Sequence, residues 1–430
     1  MTRKPSNTDA SSDPEARKLK PSTLMMGYGY DPRRSEGALK PPIFLTSTFA
    51  FETAEAGKRF FERVIGRRPD GVEGLVYGRF NGPDQEILED RLGVWEEAEE
   101  ALSFSSGMAA IATVLLSLVQ AGDVIVHSSP LYAATETLIH QVLGRFGVRF
   151  LDFPAGADRE EIDAVLAQAQ DSGRIGLIYL ESPANPTNAL VDLEAVKAAR
   201  DTLPGDARRN GARPPIVIDN TFLGPLWAKP LQQGADIVVY SLTKYAGGHS
   251  DLVAGGVLGS KALIDPVRAT RNIIGTILDP HSSWMLLRSL ETLELRMTRA
   301  GENAAKVCAF LQGHPKVERI GYLGFLPEGS RQADIYRRHC TGAGSTFSVY
   351  LKGGEPEAFA FLDALKIAKL AVSLGGTETL ASHPASMTHL SVPDARKAAL
   401  DISDNLVRIS VGVEDADDLI ADLDQALRAC

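Results

Sequence analysis

The stretch Asp236-Ile-Val-Val-Tyr-Ser241-Leu-Thr243-Lys244-Tyr-Ala-Gly-Gly-His249-Ser-Asp251 decides how the chain is to be read. Its first half is a short apolar run of the kind that forms a buried parallel strand. Such a strand delivers Ser241, Thr243 and Lys244 to its C-terminal end, where open α/β sheets bind ligands. A lysine there, desolvated and near other cations, can lose its proton at neutral pH and serve as a Schiff-base amine. The two hydroxyls beside it suit phosphate oxygens.

Three other segments repeat this pattern of chemistry at a strand end. Pro215-Ile-Val-Ile-Asp219 closes a wholly apolar strand on an acid, and a buried Asp needs a partner. Phe104-Ser105-Ser106-Gly107-Met108 is a strand-to-helix turn. Its helix N-terminus offers free N–H groups to an anion, with Gly107 allowing close approach. Glu181-Ser-Pro-Ala-Asn185-Pro186-Thr187 places an amide in a turn after another apolar strand. One group can use all four: pyridoxal phosphate takes a lysine for its aldehyde, a carboxylate for its pyridine nitrogen, an anion cradle for its phosphate and an amide for another of its oxygens. No Walker loop competes for a phosphate. His383 to His389 lacks the acidic partners of a metal site, so no metal is expected.

Working outward, strand and helix signals alternate: strands at Glu100–Phe104, Asp123–His127, Val148–Phe153, Ile175–Glu181, Pro215–Asp219 and Ile237–Ser241; helices at Gln85–Trp95, Ala134–Phe146, Arg159–Gln170 and Leu193–Asp201. This is an α/β domain with a mainly parallel sheet over about 81–290. A long helix is expected over Leu286–Leu311. A smaller C-terminal α+β domain follows (291–430), with strands at Thr346–Leu351, Leu370–Ser373 and Leu406–Val411 and helices at Glu357–Leu365 and Asp415–Ala429. Residues 1–22 read as a disordered leader without the apolar core of a signal peptide. Residues 23–80 read as an extended arm packed on another subunit, with a loop signal in Phe60–Leu75 at Arg67-Arg68-Pro69-Asp70-Gly71.

Composition narrows the class. The 430 residues exceed what one core holds. The net charge of -10 argues against a nucleic-acid surface, and no apolar run is long enough to span a bilayer. Three scattered cysteines, Cys308, Cys340 and Cys430, build no disulfide framework or zinc site and point to a reducing cytoplasm.

At these residues the chain resembles the Cys/Met-metabolism family of pyridoxal-phosphate enzymes, the group of cystathionine γ-synthase, cystathionine γ-lyase, methionine γ-lyase and O-acylhomoserine sulfhydrylase. The resemblance runs from about Tyr28 to the C-terminus. Besides the motifs above it rests on Ser373-Leu-Gly-Gly-Thr-Glu-Thr-Leu, His383-Pro-Ala-Ser-Met-Thr-His and Asn405-Leu-Val-Arg408-Ile-Ser-Val-Gly. It implies the PLP-dependent transferase fold (fold type I). It also implies roles. Lys244 is the Schiff-base lysine and proton shuttle, and Asp219 faces the pyridine nitrogen. Ser106, Gly107, Met108, Ser241 and Thr243 hold the phosphate. Tyr132 stacks on the ring and is a candidate acid or base, and Asn185 lies near the ring hydroxyl. Arg408, helped by Ser373, clamps the substrate carboxylate. Tyr77 and Arg79 reach the phosphate of a neighbouring subunit, making a dimer the minimum unit and a tetramer the usual one.

The reaction this implies is γ-elimination on a sulfur amino acid of the cystathionine, methionine or homocysteine type, giving a 2-oxo acid, ammonia and a thiol. The alternative within the family is γ-replacement; from other classes, an aminotransferase or a non-catalytic relative. Val372, before Ser373, resembles methionine γ-lyases and some sulfhydrylases, where cystathionine γ-synthases and γ-lyases often carry Glu and β-lyases Tyr. Against a dedicated methionine γ-lyase, Ala134 stands where those enzymes carry Cys, and Arg271-Asn272 where they carry Lys-Asp. Gly78, Gly82-Pro83-Asp84 and the longer Phe60–Leu75 segment depart from the family pattern near the expected cavity.

Overall fold

Residues 19–64, 66–67 and 74–430 are described by the computed structural model of the chain. Most of the expected leader (1–18) and the Arg68–Gly71 part of the loop lie outside these residues. The core of the fold is a seven-stranded sheet built from β1 (Glu100–Phe104), β2 (Val124–Ser129), β3 (Arg149–Pro154), β4 (Ile175–Glu181), β5 (Ile216–Asp219), β6 (Ile237–Ser241) and β7 (Gly255–Gly259). Their order is β1-β7-β6-β5-β4-β2-β3. The central strands are runs of β-branched and other apolar residues buried on both faces, as a sheet with helices on either side requires. One face packs on the apolar helix Gly107–Leu118. The other carries the larger core, with Leu88, Val126, Ile178, Ile218 and Val238 among its residues.

The exception to the parallel pattern matters most for function. β7 runs antiparallel to both β1 and β6, with Phe104, Gly255 and Ser241 in one register row. The first residue of β7 therefore lies at the edge where β1, β5 and β6 end. The Gly-rich composition of Gly255-Gly-Val-Leu-Gly259 hid this strand from a reading based on apolar runs.

A second, five-stranded sheet has the order β10-β11-β12-β9-β8. Its strands are β8 (Val317–Gly321), β9 (Thr346–Leu351), β10 (Lys369–Leu370), β11 (Leu380–Ser382) and β12 (Leu406–Ser410). It is covered by the helices Leu293–Gln312, Glu355–Ala364 and Ala416–Leu427 around a separate core.

Four expectations are corrected. The arm is not wholly extended, because Ala54–Val64 is a helix; the last leader residues also belong to a helical turn, Pro21–Leu24. The strand expected at Leu370–Ser373 stops at Leu370, and Ser373 adopts φ +126°. Ala134–Phe146 changes its winding to a π-turn over Leu138–Val142, which brings His140 Nε2 to 2.9 Å from His127 Nε2. The long helix over Leu286–Leu311 is two helices, Pro280–Leu290 and Leu293–Gln312. At their junction Arg296 Nη2 donates to Ser289 O (2.9 Å) and Nη1 to Tyr245 O (2.8 Å). One half-buried guanidinium thus bonds a carbonyl near the helix end and ties the junction to the residue after Lys244.

Candidate active site

The C-terminal ends of β1, β4, β5 and β6 converge with the loop before β11 and the middle of β12. Asp219 ends β5 and is buried. Its Oδ1 accepts the Thr221 N–H (2.9 Å), and no cation lies within ion-pair distance among the described residues. Burial raises its pKa, while the Thr221 bonds and the Lys244 charge pull it down. Glu181 ends β4 directly beside it, in register. Burial and the Asp219 charge push Glu181 up as well. Two adjacent buried carboxyls do not both ionise freely, and Thr221 and Lys244 favour the charge on Asp219.

Lys244 follows β6. Its Nζ donates to Ser373 Oγ at 2.8 Å. Burial, with Arg408 nearby, lowers the amine to about 8, against the pull of Asp219. Ser373 presents its carbonyl to Arg408 Nη2 (2.8 Å), and Arg408 Nη1 donates to Asn185 Oδ1 (3.0 Å). Arg408 lies in the middle of β12, 4% exposed, and burial lowers it to about 10. The uncommon φ of Ser373 lets one residue face both ways, its hydroxyl to the lysine and its carbonyl to the arginine.

The anion cradle is made by close packing. Ser106 caps the helix Gly107–Leu118, its Oγ accepting the Ala109 N–H at 2.9 Å. The Gly107 and Met108 N–H groups have no partner among the described residues. A Cβ on Gly107 would lie 3.0 Å from Ser241 Cβ, so glycine lets the helix end meet the end of β6 without either having to shift. Ser241 N–H is held by Thr221 Oγ1 (2.9 Å). Thr243 lies beside Ala254: its hydroxyl donates to Ala254 O (3.2 Å) and accepts from Ala254 N (3.0 Å), which fixes the lysine loop to β7.

Tyr132 is 40% exposed, and its backbone N–H donates to Glu181 Oε2 (2.6 Å). Tyr77 and Arg79 stand apart. Arg79 donates to the Asn272 carbonyl and lies 4.8 Å over the Phe80 ring. Neither side chain bonds to the Lys244 cluster, and Tyr77 is 42% exposed. Arg271 is wholly buried beneath β1, with Nη1 bonded to Glu89 (2.6 Å) and Ser103 O (2.9 Å). Arg271 therefore bears on packing, whereas the Asn272 carbonyl accepts from Arg79.

Several residues at the site escaped the sequence reading. Gly255 is one: a Cβ there would fall 2.2 Å from Ser106 O. Thr221 bonds both Asp219 and Ser241. His389, held near 4 by burial and Arg408, is a neutral buried imidazole there. Glu181 had a signal, since it ends an apolar strand as Asp219 does.

The residues present fit pyridoxal phosphate. A buried, deprotonatable amine, an unpaired carboxylate at a strand end and a glycine-lined helix N-terminus with two free N–H groups meet its three demands. The Cys/Met metabolism PLP-dependent enzyme family matches residues 22–428. An L-methionine gamma-lyase of Pseudomonas putida is 39% identical over 410 residues, covering 95% of this chain and 97% of that protein. A cystathionine gamma-lyase of Bacillus subtilis (strain 168) is 36% identical, covering 95% of this chain and 99% of that protein. In structure, a cystathionine gamma synthase from Xanthomonas oryzae pv. oryzae in complex with cystathionine superposes with a TM-score of 0.84 at 32% identity. The match covers 96% of this chain and 99% of that one. Sequence, fold and site agree, and the chain belongs to the Cys/Met metabolism family of PLP-dependent enzymes.

Proposed function

We propose that the protein catalyses γ-elimination on a sulfur amino acid of the methionine, cystathionine or homocysteine type, releasing a 2-oxo acid, ammonia and a thiol. The observation that carries this reading is the Lys244 amine, desolvated and bonded to Ser373, in one network with the buried Arg408. Similarity to methionine and cystathionine γ-lyases supplies the substrate class.

Pyridoxal phosphate, when bound, supplies the electron sink for charge left at the substrate's Cα. Lys244 holds it and serves as the base that moves protons at Cα and then Cβ. Asp219 keeps its negative charge toward the pyridine nitrogen. Arg408, already oriented by Asn185 and Ser373, has unused donors for the substrate carboxylate. The Tyr132 hydroxyl donates a proton to the departing γ-sulfur, which leaves with the electron pair of the C–S bond. Ser106, Gly107, Met108, Ser241 and Thr243 hold the phosphate. Water completes elimination, whereas a thiol entering at Cγ completes γ-replacement, the second reading. We also place the enzyme in the cytoplasm as a homo-oligomer, dimer or tetramer, with Tyr77 and Arg79 serving a neighbouring copy. The exposed apolar Leu39 and Leu45 of the arm and three free cysteines support this. Among the described residues no helix is long and apolar enough to cross a membrane.

A product assay on methionine, cystathionine, homocysteine and O-acylhomoserine tests the reaction. A 2-oxo acid and ammonia formed without added thiol, and lost in Lys244→Ala, are the expected result. Product formed only with thiol overturns elimination in favour of replacement, and amino-group transfer without ammonia points to an aminotransferase.

A further inference from the structure

We propose that Glu181 is a positioning residue for the reaction, its one buried carboxyl tying the segment that carries Tyr132 to the segment that carries Asn185. Oε2 accepts the Tyr132 N–H at 2.6 Å and Oε1 accepts the Asn185 N–H at 2.9 Å. Neither N–H has another acceptor among the described residues. Both belong to irregular backbone, Tyr132 just before the short helix Ala133–Thr137 and Asn185 in the turn after β4. Without Glu181 each would be a buried or half-buried donor lacking an acceptor.

The usual reason for a buried acid does not apply here. Glu89, the comparable buried glutamate beneath β1, is paired with Arg271. Glu181 has no ion pair among the described residues, and its register neighbour is another acid, Asp219. Burial and Asp219 disfavour the charged form, while the Asn185 and Tyr132 N–H bonds favour it. What the carboxyl offers is geometry, two acceptor oxygens on one planar group at the C-terminal edge of the sheet.

From Asn185 the connection continues to the site. Its Oδ1 accepts from Arg408 Nη1 (3.0 Å), Arg408 Nη2 donates to Ser373 O (2.8 Å), and Ser373 Oγ accepts from Lys244 Nζ (2.8 Å). An unbroken hydrogen-bonded path thus runs from the Tyr132 backbone to the Lys244 amine through Glu181. Because reacting groups tolerate little displacement, a shift at either tethered segment reaches the proton donor, the carboxylate clamp or both. The inference rests on the proposed function for the roles of Tyr132 and Arg408, but the tether itself does not.

Glu181→Gln tests it. The amide keeps one acceptor and turns an N–H pair toward the other donor, so one tether must fail. The first measurement is residue-resolved amide exchange on the cofactor-free chain. In the wild type, Tyr132 and Asn185 amides are expected to be protected although neither lies in a helix or strand ladder. In Glu181→Gln, at least one is expected to exchange about tenfold faster or more, the loss of a hydrogen bond to a carboxyl. Amides of β4 and β5 keep their protection. Leu177→Val, a buried change on the same strand, controls for general loosening. The second measurement is kinetic. Freed Asn185 releases Arg408 and raises KM for the amino acid, whereas freed Tyr132 lowers kcat with KM little changed. Unprotected amides in the wild type overturn the proposal without recourse to any variant. So do amides equally protected in Glu181→Gln, or faster exchange spread along β4 as in Leu177→Val. Failure of the product assay with the exchange result intact would instead remove the reaction and leave the tether.

Discussion

Replacing Gly255 by alanine is a severe test of the anion cradle because the added atom meets only backbone and a small side chain. Its Cβ would lie 2.2 Å from Ser106 O, 2.7 Å from Ser106 C and 3.0 Å from Ala110 Cβ. A carbon–oxygen contact of this kind rests at about 3.3 Å or more, so the Ser106 carbonyl must retreat by roughly 1 Å from β7. β7 cannot yield instead, since it is paired on both sides, to β1 and to β6. The moving carbonyl belongs to the peptide group whose N–H is that of Gly107, one of the two free donors proposed for the phosphate. Losing one charge-assisted bond costs about 1.5–3 kcal/mol, or roughly 10- to 100-fold in affinity. The overpacking costs a further ~1–3 kcal/mol of stability. Absorbance titration of the cofactor-free chain with pyridoxal phosphate and, separately, with pyridoxal measures the effect. Gly255→Ala is expected to weaken the phosphorylated form by that factor and the dephosphorylated form much less. Gly144→Ala, where a Cβ meets nothing within 4 Å, is expected to change neither. Equal weakening for both ligands, or none, refutes the assignment of the helix N-terminus to the phosphate.

The other predictions concern charge at the site. Lys244 titrates near 8 in the fold against 10.5 for a free lysine, so between those values the unfolded chain binds more protons and stability rises with pH. Cofactor-free Lys244→Met is expected to be more stable than wild type at pH 7 by up to about 3 kcal/mol, with the gap closing from pH 8 to 10.5 in denaturant melts; a gap independent of pH refutes the lowered pKa. Arg408→Lys replaces a planar fork that reaches Asn185 and Ser373 together. It is expected to raise KM for the amino acid by roughly 10- to 100-fold with a smaller change in kcat, and steady-state kinetics showing the reverse pattern would contradict the clamp.

The parts of this molecule readable from sequence are those where one local signal decides the outcome. Apolar runs ending in Asp219 or Ser241 are strands because no other packing buries both faces. Ser106-Gly107 opens a helix because a serine caps it and a glycine permits the contact with Ser241. Elsewhere the signal was local and the cause distant. Gly255–Gly259 looks like loop composition, yet it is a strand because bare backbone is what fits between β1, β6 and the helix end. The break between Leu290 and Leu293 leaves no trace in the apolar pattern, since both helices bury the same kind of residue, and Arg296 bonds the Ser289 carbonyl beside it. The bonds between the Thr243 hydroxyl and Ala254 were equally hidden, because they depend on β7, itself unread.

The two sheets meet at Ser373, and that meeting couples binding to chemistry. Lys244 comes from the large sheet and Arg408 from the small one, and each bonds a different oxygen of this residue. The positive field of Arg408 is one of the causes that depress the lysine. Under the clamp role proposed for Arg408, a substrate carboxylate cancels much of that field when it binds. In the cofactor-free site the amine is then weakest when empty and gains basicity as an amino acid arrives, and by linkage a protonated lysine favours carboxylate binding by the same free energy. The exposed Val372 beside this junction, 57% accessible, adds no charge to the balance. A glutamate at that position would raise the lysine pKa before any substrate bound and compete with the carboxylate for Arg408. A small apolar residue there leaves the charge of the substrate itself to set the state of the base, which suits a site whose substrates differ in their γ-substituents and share only the amino-acid end.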